Sequence, residues 1–144
     1  MTVSGTSLVD ANVWLAIAVD GHIHHAATSS WFDGQAEDTC AFCRITQLGF
    51  LRLLTTQAAM GPGTLTQPEA WQTYDRWIES GGAGFVDEPA GLEAQFRSNS
   101  NTPQASPKEW ADAYLAAFSF TFDTQLVTFD RALAGKVKGA VLLG

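Results

Sequence analysis

The sequence predicts an α/β fold in which helices cover both faces of a parallel sheet, and three observations carry that expectation. Short β-prone runs recur at Ser7 to Asp10, Thr39 to Cys43, Gly84 to Val86, Gln125 to Phe129 and Ala140 to Leu143. Longer stretches of helical period separate most of them, and strand alternating with helix is the pattern of a parallel sheet. The 144 residues are 46% apolar and show no repeat, low-complexity block or composition shift, so residues 1–144 read as one domain with its own core.

The elements follow in order. The first run ends on an aspartate in Leu8-Val9-Asp10-Ala11-Asn12. The second leads into Arg44 to Thr55, apolar almost all round through Ile45, Leu48, Phe50, Leu51, Leu53 and Leu54. That helix should be deeply packed, with the helix-weakening Gly49 permitting a close approach. Thr66-Gln67-Pro68-Glu69 and Ser106-Pro107-Lys108-Glu109 both read as capping boxes, each with a hydroxyl at the cap, a carboxylate three residues on and a proline in the first turn. From these starts, Trp71, Tyr74 and Ile78, and then Trp110, Ala113, Tyr114, Ala117 and Phe118, form apolar faces. Gly81-Gly82 closes the helix begun near Thr66, and Arg97 to Gln104, rich in Ser and Asn, reads as the mobile loop.

Charge excludes several functions. Eight Lys and Arg against fifteen Asp and Glu give a net charge of −7, which argues against holding nucleic acid or an anionic membrane by bulk electrostatics. The first basic residue is Arg44, so no charged leader precedes the first apolar stretch, and a cytoplasmic protein is expected. The uncharged run Ala113 to Phe122 is about half the roughly 20 residues that a membrane-spanning helix needs. The two cysteines, Cys40 and Cys43, read as reduced thiols.

The strand ends of a parallel sheet share one edge, and the returning helices begin there. Asp10 and Asp130 end the first and fourth runs at that edge. Asp112, six residues past Ser106, lies roughly 9 Å into its helix at ~1.5 Å per residue, and Gln47 has a similar placement in its own helix. Asp123 precedes the fourth run, some 17 Å from Asp130 at ~3.3 Å per residue, and should be structural. Three converging carboxylates call for a cation. Few ligands, all of them oxygen, suit Mg2+ or Mn2+, which activates water and braces phosphoryl oxygens in phosphodiester hydrolysis. Unrelated solvated or capping carboxylates are the competing reading at this point.

Three segments add to this: Leu8-Val9-Asp10-Ala11-Asn12-Val13-Trp14-Leu15-Ala16; Cys43-Arg44-Ile45-Thr46-Gln47-Leu48-Gly49-Phe50-Leu51-Arg52-Leu53-Leu54-Thr55; and Trp110-Ala111-Asp112-Ala113-Tyr114-Leu115-Ala116-Ala117 followed by Leu126-Val127-Thr128-Phe129-Asp130-Arg131. In order and spacing, along nearly the whole chain, this resembles the PIN-domain ribonucleases, and within them the VapC-like toxins of bacterial toxin–antitoxin pairs. The resemblance implies a PIN-like three-layer sandwich with a five-stranded parallel sheet. It also implies Mg2+-dependent endonucleolytic cleavage of RNA, a homodimer and neutralisation by a VapB-like antitoxin. Carried over by position, Asp10 and Asp112 match the principal metal ligands, and Asp130 matches the third acid, acting directly or through water. Asn12 and Thr128 then orient ligands or waters. Gln47 departs from the glutamate usual in the broader family, so one metal ion is better supported than two.

The remaining features are weaker. His22, His24 and His25 with Cys40 and Cys43 make a zinc site only on paper, and solvated loop or helix-cap histidines fit better. Asp87 and Glu88, ahead of Pro89, read as a turn. Arg44, Arg52, Lys108 and Arg131 are the basic residues expected nearest the acidic edge, where they would hold RNA phosphates. Two rival functions remain. A phosphate-transferring enzyme with Asp10 as nucleophile would want an aspartate where Asn12 stands. A non-catalytic binding module that keeps the fold finds its support in Gln47.

Overall fold

A computed structural model describes residues 6–144. The chain runs β1 (Ser7–Val9), α1 (Ala11–Ala18), α2 (His25–Asp33), β2 (Cys40–Phe42), α3 (Arg44–Leu54), α4 (Gln57–Met60), α5 (Gln67–Glu79), β3 (Gly84–Phe85), α6 (Leu92–Asn99), α7 (Trp110–Phe122), β4 (Gln125–Thr128), α8 (Arg131–Ala134) and β5 (Val141–Leu142). All strand pairs are parallel, in the order β3-β2-β1-β4-β5. The five-stranded α/β sandwich is therefore as expected.

Side-chain alternation along the strands builds the three layers. Leu8 of β1 and Leu126 of β4 join Leu92, Leu115, Phe118 and Leu133 in a core under α6, α7 and α8. Their neighbours Val9 and Val127 point the other way, into a core with Val13, Trp14, Phe50, Leu54 and Tyr74 under α1, α3 and α5. Trp14, fully buried, stacks on Phe42 with ring centroids 4.3 Å apart. Gly49 does what its position suggested: a Cβ there would stand 2.9 Å from the Ala11 Cβ, so its absence lets α3 close on α1.

Each strand is shorter than its β-prone run, and after β1 and β2 the last residue of the run is taken as the cap of the next helix. Asp10 and Asp130 accept hydrogen bonds from the backbone at the starts of α1 and α8, and Cys43 occupies the cap of α3. The Thr66 capping box forms as read, with Thr66 N donating to Glu69 Oε1 at 2.9 Å and Glu69 N to Thr66 Oγ1 at 3.3 Å. Gly81, at φ 78°, follows the end of α5.

Three expectations are corrected. The Ser106 box does not start a helix: Ser106 to Glu109 closes a turn, with Glu109 N donating to Ser106 O at 3.0 Å, and α7 begins at Trp110. Asp112 accordingly lies in the first turn of α7, not deep in a longer helix. Arg97 to Asn99 belong to α6, where Arg97 pairs with Glu93 at 2.8 Å, so the irregular segment begins only at Ser100. The helix α3 is not buried all round, since Leu48 is 63% exposed. Among the described residues no helix is long and apolar enough to cross a membrane.

Candidate active site at the switch between β1 and β4

From β1 the sheet grows outward through β2 to β3, and then the chain returns to place β4 on the other side of β1. Such a reversal leaves a crevice beyond the strand ends, where the two following loops diverge. Asp10 follows β1 and Asp130 lies two residues past β4, so both stand at this crevice. Backbone pairing holds them in register, with Val9 opposite Val127 and Asp10 N donating to Val127 O at 2.9 Å.

One buried hydroxyl links the two acids. Thr128 Oγ1 donates to Asp10 Oδ2 at 2.8 Å and accepts from Asp130 N at 3.0 Å. The other Asp10 oxygen, Oδ1, accepts from Ala11 N at 2.9 Å, and Asp130 Oδ1 accepts from Leu133 N at 3.1 Å. Asp112 is brought in by the first turn of α7. Burial pushes the Asp10 carboxyl above its ordinary value. The hydrogen bonds from Thr128 and Ala11 oppose that shift, and the charge of Asp130 adds to it. Asp112 is likewise raised by burial, then by Asp130 and Asp10, with Lys136 pulling the other way. The three acids are thus within electrostatic reach of one another. Each is also engaged locally, and among the described residues no three His, Cys, Asp or Glu side chains are grouped tightly enough to ligate one ion as they stand. The donors are all hard oxygens at helix starts, which suits Mg2+ or Mn2+ and not a softer metal.

The other sequence candidates divide. Thr128 is where expected. Asn12 is exposed in the first turn of α1 and makes no hydrogen bond to the acids. Gln47 is buried, but it accepts from the Arg44 guanidinium at 2.7 Å and lies beside the Tyr74 hydroxyl, so it braces α3 against β3 and α5. Arg44 in turn lies over the Phe85 ring, 4.6 Å from its centroid. Arg131 directly follows Asp130, and Lys108 lies in the turn before α7; both are exposed. Arg52 is a correction. It occupies the last turn of α3, about 12 Å along the axis from Arg44 at ~1.5 Å per residue, away from the acidic edge.

The cation that the residue spacing did not single out is Lys136, between α8 and β5. Its Nζ lies 3.3 Å from Glu109 Oε1 and 3.7 Å from Asp112 Oδ2. A lysine beyond a four-residue helix carries no pattern that ties it to an acid on another helix. The sequence signal available was its place just after Asp130 on the C-terminal side of β4. Of the histidines and cysteines that make a zinc set only on paper, His22 and His24 pack against Phe129, His25 Nδ1 lies 2.8 Å from Ala16 O, and both cysteines are buried, with burial pushing the Cys40 thiol up to about 11. Asp123 caps the C-terminus of α7, and Glu88 accepts from the Tyr114 hydroxyl at 2.8 Å.

A five-stranded parallel sheet with acids after its first and fourth strands and a third on the helix between them is the arrangement of a PIN domain, and the sequence matches that family over residues 7–138. Ribonuclease VapC41 of Mycobacterium tuberculosis is 44% identical over 130 residues, which cover 87% of this chain and 89% of the relative. The chain therefore belongs to the PIN-domain family and, within it, to the VapC-like branch. Two solved structures share the fold. One is Mycobacterium tuberculosis VapC20, described as a sarcin-ricin loop cleaving toxin, with a TM-score of 0.65, 14% identity and coverage of 90% of this chain and 94% of that one. The other is VapBC2 from Rickettsia felis bound to a promoter DNA fragment, with a TM-score of 0.59, 8% identity and coverage of 95% and 96%.

Proposed function

We propose that this protein is a Mg2+-dependent endoribonuclease, able to use Mn2+, that acts as the toxin of a toxin–antitoxin pair. The observation that carries the proposal is that Asp10, Asp112 and Asp130 stand together at the β1/β4 switch, where the charge of Asp130 adds to burial in raising both Asp10 and Asp112. The ribonuclease relative at 44% identity supports the choice of RNA as substrate.

Asp10 and Asp112 would hold the ion, with Asp130 contributing directly or through water. When bound, Mg2+ lowers the pKa of the attacking water and braces the phosphoryl oxygens. Thr128 fixes the Asp10 carboxylate by donating to Oδ2 and fixes the loop of Asp130 through its N–H. Lys136, now paired with Asp112 and Glu109, is placed to pass its charge to a substrate phosphate once a cation neutralises Asp112. Arg44, Lys108 and Arg131 supply further phosphate contacts on a molecule whose overall charge repels RNA. A homodimer in the cytoplasm, silenced by a VapB-like antitoxin, completes the reading.

The test is cleavage of structured RNA by purified protein with Mg2+ or Mn2+. Cutting should stop with EDTA and in Asp112→Asn, which should fold as wild type. Retained cleavage in that variant would remove Asp112 from the ligand set, and absence of cleavage by wild type would leave the binding-module reading. The product of an adjacent small reading frame should co-purify with the protein and block cutting.

A further inference from the structure

A cavity of about 670 Å3 lies between α7 and the segment leading into it, lined in part by Ser100, Gln104, Trp110, Ala113, Ala116 and Lys136. Its volume falls in the range of small-molecule sites. The apolar part is built from the small Ala113 and Ala116 and from Trp110, which is 58% exposed although it meets Phe96 edge-on at 6.1 Å. Gln104 is exposed, and its carboxamide makes no hydrogen bond within the described residues. The cavity is continuous with the acidic site through two residues: Ala113 follows Asp112 on α7, and Lys136, on the cavity wall, lies 3.7 Å from Asp112 Oδ2.

We propose that this cavity takes one unstacked nucleobase of the RNA, that of the nucleotide beside the phosphate held at the acids. The inference rests on the endoribonuclease reading and adds a specificity site to it. A chain of net charge −7 cannot rely on bulk electrostatics to hold RNA, so affinity must come from local contacts. Stacking on an aromatic ring is the uncharged contact that every base accepts, and a free carboxamide reads base edges by donating and accepting. Trp110 supplies the first, Gln104 the second, and Lys136 spans the step from base to phosphate. The pocket thus sets which nucleotide is presented to Asp112.

Trp110→Ala, Trp110→Phe and Gln104→Ala are compared with wild type in two measurements. One is binding of labelled single-stranded RNA oligonucleotides in EDTA; the other is steady-state cleavage of RNAs that differ at the nucleotide flanking the cut. Trp110→Ala should weaken binding and raise KM about tenfold, the lower part of the range for one lost base stack, with kcat nearly unchanged. Trp110→Phe should restore most of this, and Gln104→Ala should alter the nucleotide preference several-fold without lowering the melting temperature. If wild type cuts RNA while Trp110→Phe and Gln104→Ala keep its KM and preference and a folded Trp110→Ala does too, the pocket assignment is overturned. It is also overturned if these variants cut normally but escape the antitoxin, which would make the cavity a protein-docking site. If wild type cuts no RNA at all, the endoribonuclease reading fails by itself, and the EDTA binding series still decides whether the cavity takes a base.

Discussion

Thr128 is fully buried and serves two acids with one hydroxyl. Replacing it with valine keeps the shape and strands both partners, at a cost of about 1–3 kcal/mol in stability. Metal affinity or activity should fall about 10–100-fold, the usual loss when a group that orients a ligand is removed. Calorimetry and an RNA cleavage assay measure the two effects separately. At Asp112 the two should move in opposite directions. The Asn variant loses cleavage by more than about 100-fold, beyond what an outer-shell change costs. Its metal-free stability at neutral pH should nevertheless exceed that of wild type. The sign follows from the raised folded pKa of Asp112: the folded state binds its proton more tightly than the unfolded chain, so stability is highest at low pH and is lost as pH rises through the folded value. The gap between variant and wild type should therefore close as the solution is acidified toward the ordinary carboxylate value of 3.8. Melting curves between that pH and neutrality check it.

At the scale of elements, Gly49 marks a close approach of α3 to α1. Gly49→Ala would gain about 1 kcal/mol in helix propensity, but it would force a Cβ to within 2.9 Å of the one on Ala11. Overpacking of that kind costs about 1–3 kcal/mol, so net destabilisation is expected in urea unfolding. Because Asp10 caps α1, the same change should also lower RNA cleavage. How far the sequence spoke at this scale depended on how local each signal was. The box at Thr66 starts α5 as read, because its hydroxyl, carboxylate and proline all act within one turn. The same pattern at Ser106 closes a turn ahead of α7, with Glu109 N bonded to the Ser106 carbonyl instead of its hydroxyl, because the same residue types suit either arrangement and the course of the following backbone decides between them. Asp10, Asp112 and Asp130 could be assigned to one edge because the rule for parallel strands needs only strand direction. The Lys136 pairing depends on side-chain reach between separate elements, about which spacing along the chain carries no information, whereas the Gln47 bond to Arg44 is an i,i+3 contact within α3 that helical spacing permits without selecting it over other partners.

For the whole molecule, the proposed ion should act as a structural ligand as well as a chemical one. Adding Mn2+ at neutral pH relieves the repulsion among the acids, so the melting temperature of wild type should rise with ion concentration and that of Asp112→Asn should respond much less. The raised carboxyl of Asp10 makes protons competitors for the site, so more ion should be needed as pH falls toward its titration range. Differential scanning fluorimetry across ion concentration and pH reads both trends. An ion-independent melting temperature in wild type would argue against the ligand assignment.

The central strand pairs with a segment 118 residues further along, Ser7 with Gln125 and Val9 with Val127. Contacts so distant in the chain are slow to form and cannot form before β4 has been made. A polypeptide that ends before Gln125 keeps Asp10 and Asp112 but lacks the strand, the hydroxyl and the third acid that would complete the centre. Nascent or prematurely terminated forms that stop short of β4 should therefore be harmless to the cell that makes them, and the danger arrives only once that strand has been made.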